Sequence, residues 1–358
     1  MTLYNGDTNN AKTIIQDEVR NVRKNVGMLD VSTLGKLAIR GPDAGAFLDR
    51  IYTMAHAKQP VGRVRYCLML NDMGSVIDDG VAFRIADDYL YVTATTGAVA
   101  RVFSEMLWLN AQWQMNVDIQ NITAAFAGIN VTGPNARKVL ESLTGDIDLS
   151  PKAFPFLEGR TGFIADCLVR IMRIGFTGEL SFELHTPQSY GSVLWSSLSE
   201  VGGEFFLKPY GLEASRILRL EKGHIIIGQD TDALSTPDEL GMEWALSRKK
   251  ECYQGKTAIE ARRALGTKRK LCGFELPDNH GVKIEESSLV IRNDEPVGFV
   301  TSLCHSPTLN KSIGMAYAHP EDAAPGSQLN IRGLCGRELM AAVVSPHFFD
   351  PDNIRQDI

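Results

Sequence analysis

The sequence lacks the motifs that usually mark a metal or nucleotide site. Its 358 residues include six cysteines and seven histidines, dispersed without a CxxC pair or any other zinc or iron–sulfur spacing. Scattered cysteines of this kind are typical of reduced thiols, so they predict a cytoplasmic protein without a metal. Neither GxGxxG after a strand nor GxxxxGK followed by Ser or Thr occurs, so we expect no dinucleotide or nucleoside triphosphate to bind through those motifs.

Charge and hydropathy argue against two further classes of protein. With 37 basic and 43 acidic residues the formal net charge is −6, which argues against a surface for nucleic acid or anionic membrane. No apolar run approaches the roughly 20 residues that span a bilayer, and MTLYNGDTNN lacks the pattern of a signal peptide. The 44% apolar and 22% charged residues are typical of a globular protein, here of two or three domains.

The pattern of the chain changes near residue 268. Before it, amphipathic helical segments such as 11–25 and 99–112 alternate with strands, which predicts an α+β body. After it, short apolar strands are separated by turns, which predicts an all-β C-terminal domain, a small barrel or sandwich. The charged, partly helical segment 259–270 is the expected linker.

Two adjacent carboxylates lie within a predicted strand at VIDDGVAFRI (76–85). Because successive strand residues point to opposite faces, Asp79 falls in an apolar row, while Asp78 shares its face with small residues and Arg84. A carboxylate among apolar groups is costly unless it is paired, and its pKa tends to rise. Asp79 is therefore the candidate for chemistry, with structural pairing as the alternative, and Asp78 is expected in an exposed ion pair.

Seven segments follow one another in a familiar order over nearly the whole chain. They are GMLDVSTLGKLAIRGPDA (27–44), RYCLMLNDMGSVIDDG (65–80), RIGFTGELSFEL (173–184), GLEASRILRLEKG (211–223), GQDTD (228–232), PDELGMEW (237–244) and VGFVTSLCHSPTLNKSIGMAY (297–317). Together they resemble the glycine-cleavage T-protein (aminomethyltransferase) family, which binds tetrahydrofolate. LEKGHIIIGQDTD and TPDELGMEW are similar to the folate-binding C-terminal half of heterotetrameric sarcosine oxidase alpha subunits.

The resemblance implies a three-domain cloverleaf around a central channel, with an all-β barrel as the C-terminal domain. The first two domains would be discontinuous and interleaved within residues 1–267. We expect residues 1–36 with 120–222 in one, 37–119 with 223–267 in the other, and 268–358 in the barrel.

The resemblance also implies site residues. Asp79 matches the family aspartate that faces the reactive nitrogens of tetrahydrofolate, and is the expected catalytic residue. Tyr66 matches a nearby tyrosine, and Glu183 matches the glutamate that binds the aminopyrimidine edge of the pterin. Phe176 stands where the family often has Tyr. The other expected folate contacts are Ser32, Thr93, Arg216 and His224.

Three positions depart from the glycine-cleavage pattern. Ser215 occupies the family arginine position, with Arg216 one residue further on, and Thr33 replaces a histidine. His224 replaces a tyrosine. These changes argue against a lipoyl-protein substrate more than against folate.

Taken singly, several of these residues have a simpler interpretation. Glu183 is typical of a salt-bridged strand residue, His224 of a strand histidine, Arg216 of a helix-surface charge and Trp244 of core packing. Only their joint occurrence with the family pattern favours a site.

The implied function is tetrahydrofolate-dependent transfer of a methylene or aminomethyl unit. We expect it to be linked to oxidative demethylation of an N-methyl amine, with flavoprotein oxidase or dehydrogenase subunits as partners and a small-molecule one-carbon donor. Two alternatives stay open: a flavin-independent N-, O- or S-demethylase, and a non-enzymatic folate-binding accessory protein. KKECYQG (249–255), with Cys252, resembles a signature of such accessory relatives.

Overall fold

The computed structural model describes residues 10–278 and 281–358. Most of the N-terminal stretch that lacks a signal-peptide pattern lies outside the described residues. None of the helices in the described ranges has the length and apolar character needed to cross a membrane.

Helices and strands alternate through the first part of the chain, and strands dominate the last part. The helices are α1 (Ala11–Lys24), α2 (Ala44–Ile51), α3 (Val99–Trp113), α4 (Ala136–Glu141), α5 (Gly191–Gly202), α6 (Leu212–Lys222) and α7 (Lys256–Leu265). The strands of the body are β1 (Val26–Asp30), β2 (Gly35–Arg40), β3 (Val64–Leu70), β4 (Val76–Ala86), β5 (Tyr89–Ala94), β6 (Asp118–Asn121), β7 (Phe126–Thr132), β8 (Gly159–Ile164), β9 (Cys167–Met172), β10 (Ser181–Pro187) and β11 (Leu207–Pro209). Those of the last part are β12 (Lys270–Leu276), β13 (Leu289–Arg292), β14 (Glu295–Ser306), β15 (Lys311–Ala318), β16 (Gln328–Arg332) and β17 (Glu338–Val344). Short 3₁₀ turns occupy Thr123–Ala125, Gln188–Tyr190, Gly203–Phe205, Glu243–Ala245 and Ile354–Gln356.

The first sheet has six strands in the order β11-β1-β7-β10-β9-β8. Alternation along β1 sends Met28 into a core shared with α4 and α5, and Leu29 into a second core shared with α1 and α6. Helices therefore pack against both faces of this sheet.

The second sheet has five strands in the order β3-β4-β5-β2-β6. One face packs under α2 and α3 through residues such as Phe47 and Met106. The other face brings Phe83 and Tyr91 against Met172 of the first sheet. Both faces of this sheet are therefore covered over much of its area, which decides the burial of the acidic pair on β4.

The C-terminal strands form a closed barrel in the order β12-β15-β14-β13-β16-β17. Its interior is apolar, with Phe274 and Ile331 fully buried. The α+β class, the cloverleaf-type fold and the all-β tail are confirmed, and the tail is a barrel rather than a sandwich. The domain boundaries given above stay predictions.

The segment after β17 returns to the body and packs on a buried cluster of charges. Arg23 contacts Glu179 at 3.0 Å and Glu221 at 2.7 Å, and both carboxylates are fully buried. The tail adds the ring of Phe349, 4.0 Å from the Arg23 guanidinium, and Arg355, 2.9 Å from Glu179. The barrel is thus fixed to the body at its end as well as at its beginning.

Candidate functional site

The β3–β4 hairpin brings Tyr66 and Asp79 together. Its turn is closed by Asn71, whose side-chain oxygen accepts the N–H of Ser75 at 2.9 Å, and by Gly74 at φ +76°. The register pairs Leu68 with Asp79, so Tyr66 lies diagonally across on the same face. The Tyr66 hydroxyl donates to Oδ2 of Asp79 at 2.7 Å.

Burial sets the electrostatics of this pair. Removal from water raises the pKa of Asp79 to about 6, and the hydrogen bond from Tyr66 opposes that rise. The pKa of Tyr66 is raised well above its usual value, first by burial and then by the Asp79 charge. Tyr66 therefore stays a donor, while Asp79 can gain or lose a proton near neutral pH.

Asp78 lies on the opposite face of β4, and the prediction that it forms an exposed ion pair is wrong. It is 2% exposed, because α2 and α3 cover that face. The N–H of Thr95 donates to Oδ2 at 3.2 Å, and among the described residues Oδ1 has no partner. Arg84 does not pair with it, and donates instead to backbone carbonyls including that of His56 at 2.8 Å. Burial, opposed in part by the bond from Thr95, raises the pKa of Asp78 to about 7.

Trp244 adds an exposed aromatic surface beside the Tyr66–Asp79 pair. Its ring lies 5.2 Å from that of Tyr66 at a tilt of 39°, and 63% of the residue is exposed. The interpretation of Trp244 as core is therefore wrong. The residue lies in a 3₁₀ turn without helical or strand periodicity, so no pattern in the sequence indicates that it is exposed.

Phe176 and His224 form a second aromatic surface. Their rings stack at 5.8 Å with an interplanar angle of 24°, and Phe176 is 41% exposed. Burial lowers the pKa of His224 to about 4, so the ring is neutral near pH 7. Its Nδ1 lies 2.8 Å from the Phe176 carbonyl oxygen and donates to it, which leaves Nε2 as an acceptor.

Glu183 lies on β10, with His185 behind it and Tyr91 behind His185. The residue is 8% exposed, and its Oε1 lies 2.8 Å from Nε2 of His185. The Tyr91 hydroxyl lies 2.7 Å from Nδ1 of His185. Sequence reasoning found Glu183 but missed His185 and Tyr91. The alternation of the strand offered one signal, because Glu183 and His185 are two residues apart and share a face.

Three further candidates contact the protein itself. Ser32 accepts the N–H of Gly128 at 3.0 Å, and Thr93 accepts that of Val81 at 3.0 Å. Arg216 lies 2.9 Å from Glu286 and also binds Gln229. Ser32 and Thr93 thus fix strands beside the carboxylates, and Arg216 joins α6 to the barrel. Their roles toward folate stay predictions.

Similarity to known proteins extends over almost the full chain. A family model described as the GCVT N-terminal domain matches residues 2–250, and the glycine cleavage T-protein C-terminal barrel domain matches residues 269–350. The chain is 34% identical, over 99% of its length, to sarcosine oxidase subunit alpha of Corynebacterium sp. (strain U-96), of which it spans 38%. It is 33% identical, over 92% of its length, to an aminomethyltransferase of Thermoanaerobacter sp. (strain X514), of which it spans 87%.

A solved structure shares the fold. The crystal structure of glycine cleavage system aminomethyltransferase T from Bartonella henselae matches with a TM-score of 0.83 at 24% identity, covering 96% of this chain and 90% of that one. The resemblance found in the sequence is confirmed by these matches. The chain belongs to the glycine cleavage T-protein family, a family of folate-dependent aminomethyltransferase enzymes.

Proposed function

We propose that this chain transfers a one-carbon unit, as methylene or aminomethyl, to tetrahydrofolate. The observation that carries the proposal is the Tyr66–Asp79 pair, a half-buried carboxylate held by one phenol next to the exposed ring of Trp244. A carboxylate with one fixed oxygen and a pKa near neutrality is suited to act on a weakly basic nitrogen.

The chemistry of the other candidate residues fits a reduced folate. Trp244 and Phe176 offer exposed aromatic surfaces to a flat heterocycle. Glu183 has one oxygen next to His185, and in the described part of the chain its second oxygen accepts no hydrogen bond. That oxygen is available to an N–H donor of the ligand. Bound tetrahydrofolate would supply the nucleophilic ring nitrogens that receive the one-carbon unit.

Within this site Asp79 has two tasks. When ionised, it stabilises positive charge that develops at the reacting nitrogen, and it can accept the proton which that nitrogen loses. Tyr66 keeps Oδ2 engaged and so fixes the orientation of the carboxylate. Trp244 lies against the ring of Tyr66, the phenol that holds Asp79.

We further propose that the one-carbon unit comes from oxidation of an N-methyl amine by flavoprotein subunits. The support is similarity to sarcosine oxidase alpha subunits at 34–36% identity over 94–99% of this chain. The chain spans only 36–38% of those relatives, so we place the oxidative step outside the 358 residues of this sequence. Ser215, Thr33 and His224 favour such a donor over an aminomethylated lipoyl protein.

A titration with 5-formyltetrahydrofolate tests folate binding. We expect saturable quenching of tryptophan fluorescence, because Trp244 is exposed beside Tyr66. The variant Trp244→Phe should retain binding, measured by calorimetry, and lose most of the quenching. No heat and no rise in melting temperature at millimolar ligand would overturn the proposal.

The donor is tested separately, by anaerobic turnover with tetrahydrofolate. Formaldehyde, as the product of amine oxidation, should be converted to methylenetetrahydrofolate faster with the protein than without it. Turnover of an aminomethylated lipoyl protein at a higher rate would contradict the proposed donor.

A further inference from the structure

A buried line of three polar side chains joins the two sheets of the body behind Glu183. Tyr91 lies on β5 of the second sheet and His185 on β10 of the first, and both are fully buried. The Tyr91 oxygen is 2.7 Å from Nδ1 of His185, and Nε2 of His185 is 2.8 Å from Oε1 of Glu183. The second contact is short, although its geometry is not that of a full hydrogen bond from the ring nitrogen.

The charge state of His185 follows from its surroundings. The ring is removed from water, and the cations of Lys36 and Arg170 oppose a further positive charge, whereas Glu183 favours one. Burial is the largest of these effects and lowers the pKa of His185. The ring is therefore neutral near pH 7 and carries a single N–H.

The position of that single proton is set by the two neighbours. A carboxylate oxygen 2.8 Å from Nε2 requires a donor there, because two acceptors at that distance would repel. Nδ1 is then bare and accepts the hydroxyl proton of Tyr91.

We propose that Tyr91 and His185 are positioning residues for ligand recognition by Glu183. Tyr91 donates to Nδ1 and so supports the Nε2–H tautomer that Glu183 requires, and His185 holds Oε1 of Glu183 toward the protein interior. The second oxygen, Oε2, is left for an N–H donor of the ligand. The ligand in this inference is the reduced folate of the proposed function.

The first test measures affinity for 5-formyltetrahydrofolate by calorimetry. Tyr91→Phe keeps the ring and removes the hydroxyl, and we expect affinity to fall about tenfold, which is the upper size of effect for one lost hydrogen bond. Tyr89→Phe is the matched control on the same strand, because in the described ranges the Tyr89 hydroxyl has no partner. It should change affinity less than about twofold.

His185 is tested by a pair of substitutions. His185→Phe removes both nitrogens and should weaken binding at least as much as Tyr91→Phe. His185→Gln retains an N–H donor near the position of Nε2 and should recover part of that loss. Circular dichroism and melting temperature establish that each variant is folded. Equal losses for Phe and Gln in folded protein would overturn a donor role for His185.

A double-mutant cycle distinguishes positioning from general stability. In a Glu183→Gln background, Tyr91→Phe should have almost no further effect on affinity, because the carboxylate through which it acts is gone. A persisting tenfold loss in that background would overturn the proposal.

A second readout does not depend on folate. Long-range ¹H–¹⁵N spectra of protein labelled in histidine should show His185 as the Nε2–H tautomer, with His185→Gln assigning the signal. Tyr91→Phe should shift the signal toward the other tautomer, and Tyr89→Phe should not. An Nδ1–H or doubly protonated ring in the unaltered protein at pH 7 overturns the proposed positioning of Glu183 by His185 and Tyr91. Failure of the unaltered protein to bind folate, with the tautomer as expected, instead overturns the proposed function.

Discussion

The two faces of β4 give two neighbouring aspartates different surroundings. Asp78 points into the core beneath α2 and α3, with one backbone N–H as donor and one oxygen without a partner in the described residues. Asp79 points toward Tyr66, beside the exposed Trp244. Burial raises the pKa of both, to about 7 and about 6. A raised pKa therefore does not separate them, and access for a ligand does.

The largest expected effect follows from removing the charge on the accessible face. Asp79→Asn keeps the shape of the side chain, so the protein should fold and still bind folate. One-carbon transfer should fall about 10²–10³-fold, the usual result of losing one preorganised electrostatic partner. Steady-state rates and folate affinity measured together would check this. A loss below about tenfold would mean that Asp79 has a structural role.

The next effect concerns stability and the buried face. Because the folded pKa of Asp78 is raised to about 7, the unfolded chain ionises first as pH rises above about 4. The favourable contribution of Asp78 to the free energy of unfolding, present at low pH, is therefore lost as pH rises toward 7. Asp78→Asn removes this dependence, so its free energy of unfolding relative to the unaltered protein should increase between pH 4 and 7, reaching on the order of 1–4 kcal/mol.

Urea unfolding at several pH values measures that difference, and the transfer rate serves as the control. The rate should change little, because Asp78 does not face Tyr66. If Asp78→Asn lost as much transfer rate as Asp79→Asn, the two faces of β4 would not differ in function as proposed.

Tyr66→Phe should have a smaller effect, again on the accessible face. The hydrogen bond from Tyr66 lowers the pKa of Asp79, so its loss should raise that pKa above about 6. The acidic limb of the pH–rate profile should therefore move to higher pH. We expect roughly a tenfold lower rate at pH 6 and a smaller loss at pH 8. An unchanged acidic limb would show that Asp79 does not control the rate through its ionised form.

The smallest effect is expected at the half-exposed ion pair of Arg216 with Glu286. Replacing Glu286 with Gln should change the free energy of unfolding by only about 0–1 kcal/mol, because water screens the pair. Chemical denaturation in low and high salt measures this. A loss above about 2 kcal/mol would show that the pair contributes far more to the joining of α6 and barrel than exposed pairs usually do.

Local patterns predicted much of this architecture. For the acidic pair they predicted that the two side chains lie on opposite faces, but not that Asp78 is buried. Helical periodicity placed α1 and α3, and strand alternation put Asp78 and Asp79 on opposite faces. Alternation does not report which faces are covered, and here helices pack on the face that seemed exposed. The burial of Asp78 results from tertiary packing and could not be predicted from the local sequence.

The side chains behind Glu183 illustrate a second limit. His185 and Tyr91 are 94 residues apart in sequence and meet only because the two sheets pack together. Nothing in either local segment indicates that contact. The prediction that Trp244 is buried was wrong for a related reason. An isolated aromatic residue in an irregular segment belongs to no periodic pattern, so the sequence does not show whether it is buried or exposed.

The attachment of the barrel at both ends limits how the molecule can open. A domain joined by one linker can swing as a rigid body, whereas this one carries a tail that packs on Arg23 and Glu179. Swinging the barrel outward would pull Arg355 and Phe349 from that cluster and leave buried charges with fewer partners, at a cost of several kcal/mol. We therefore expect ligand exchange to depend on the motion of loops, while the barrel keeps a fixed position relative to the body.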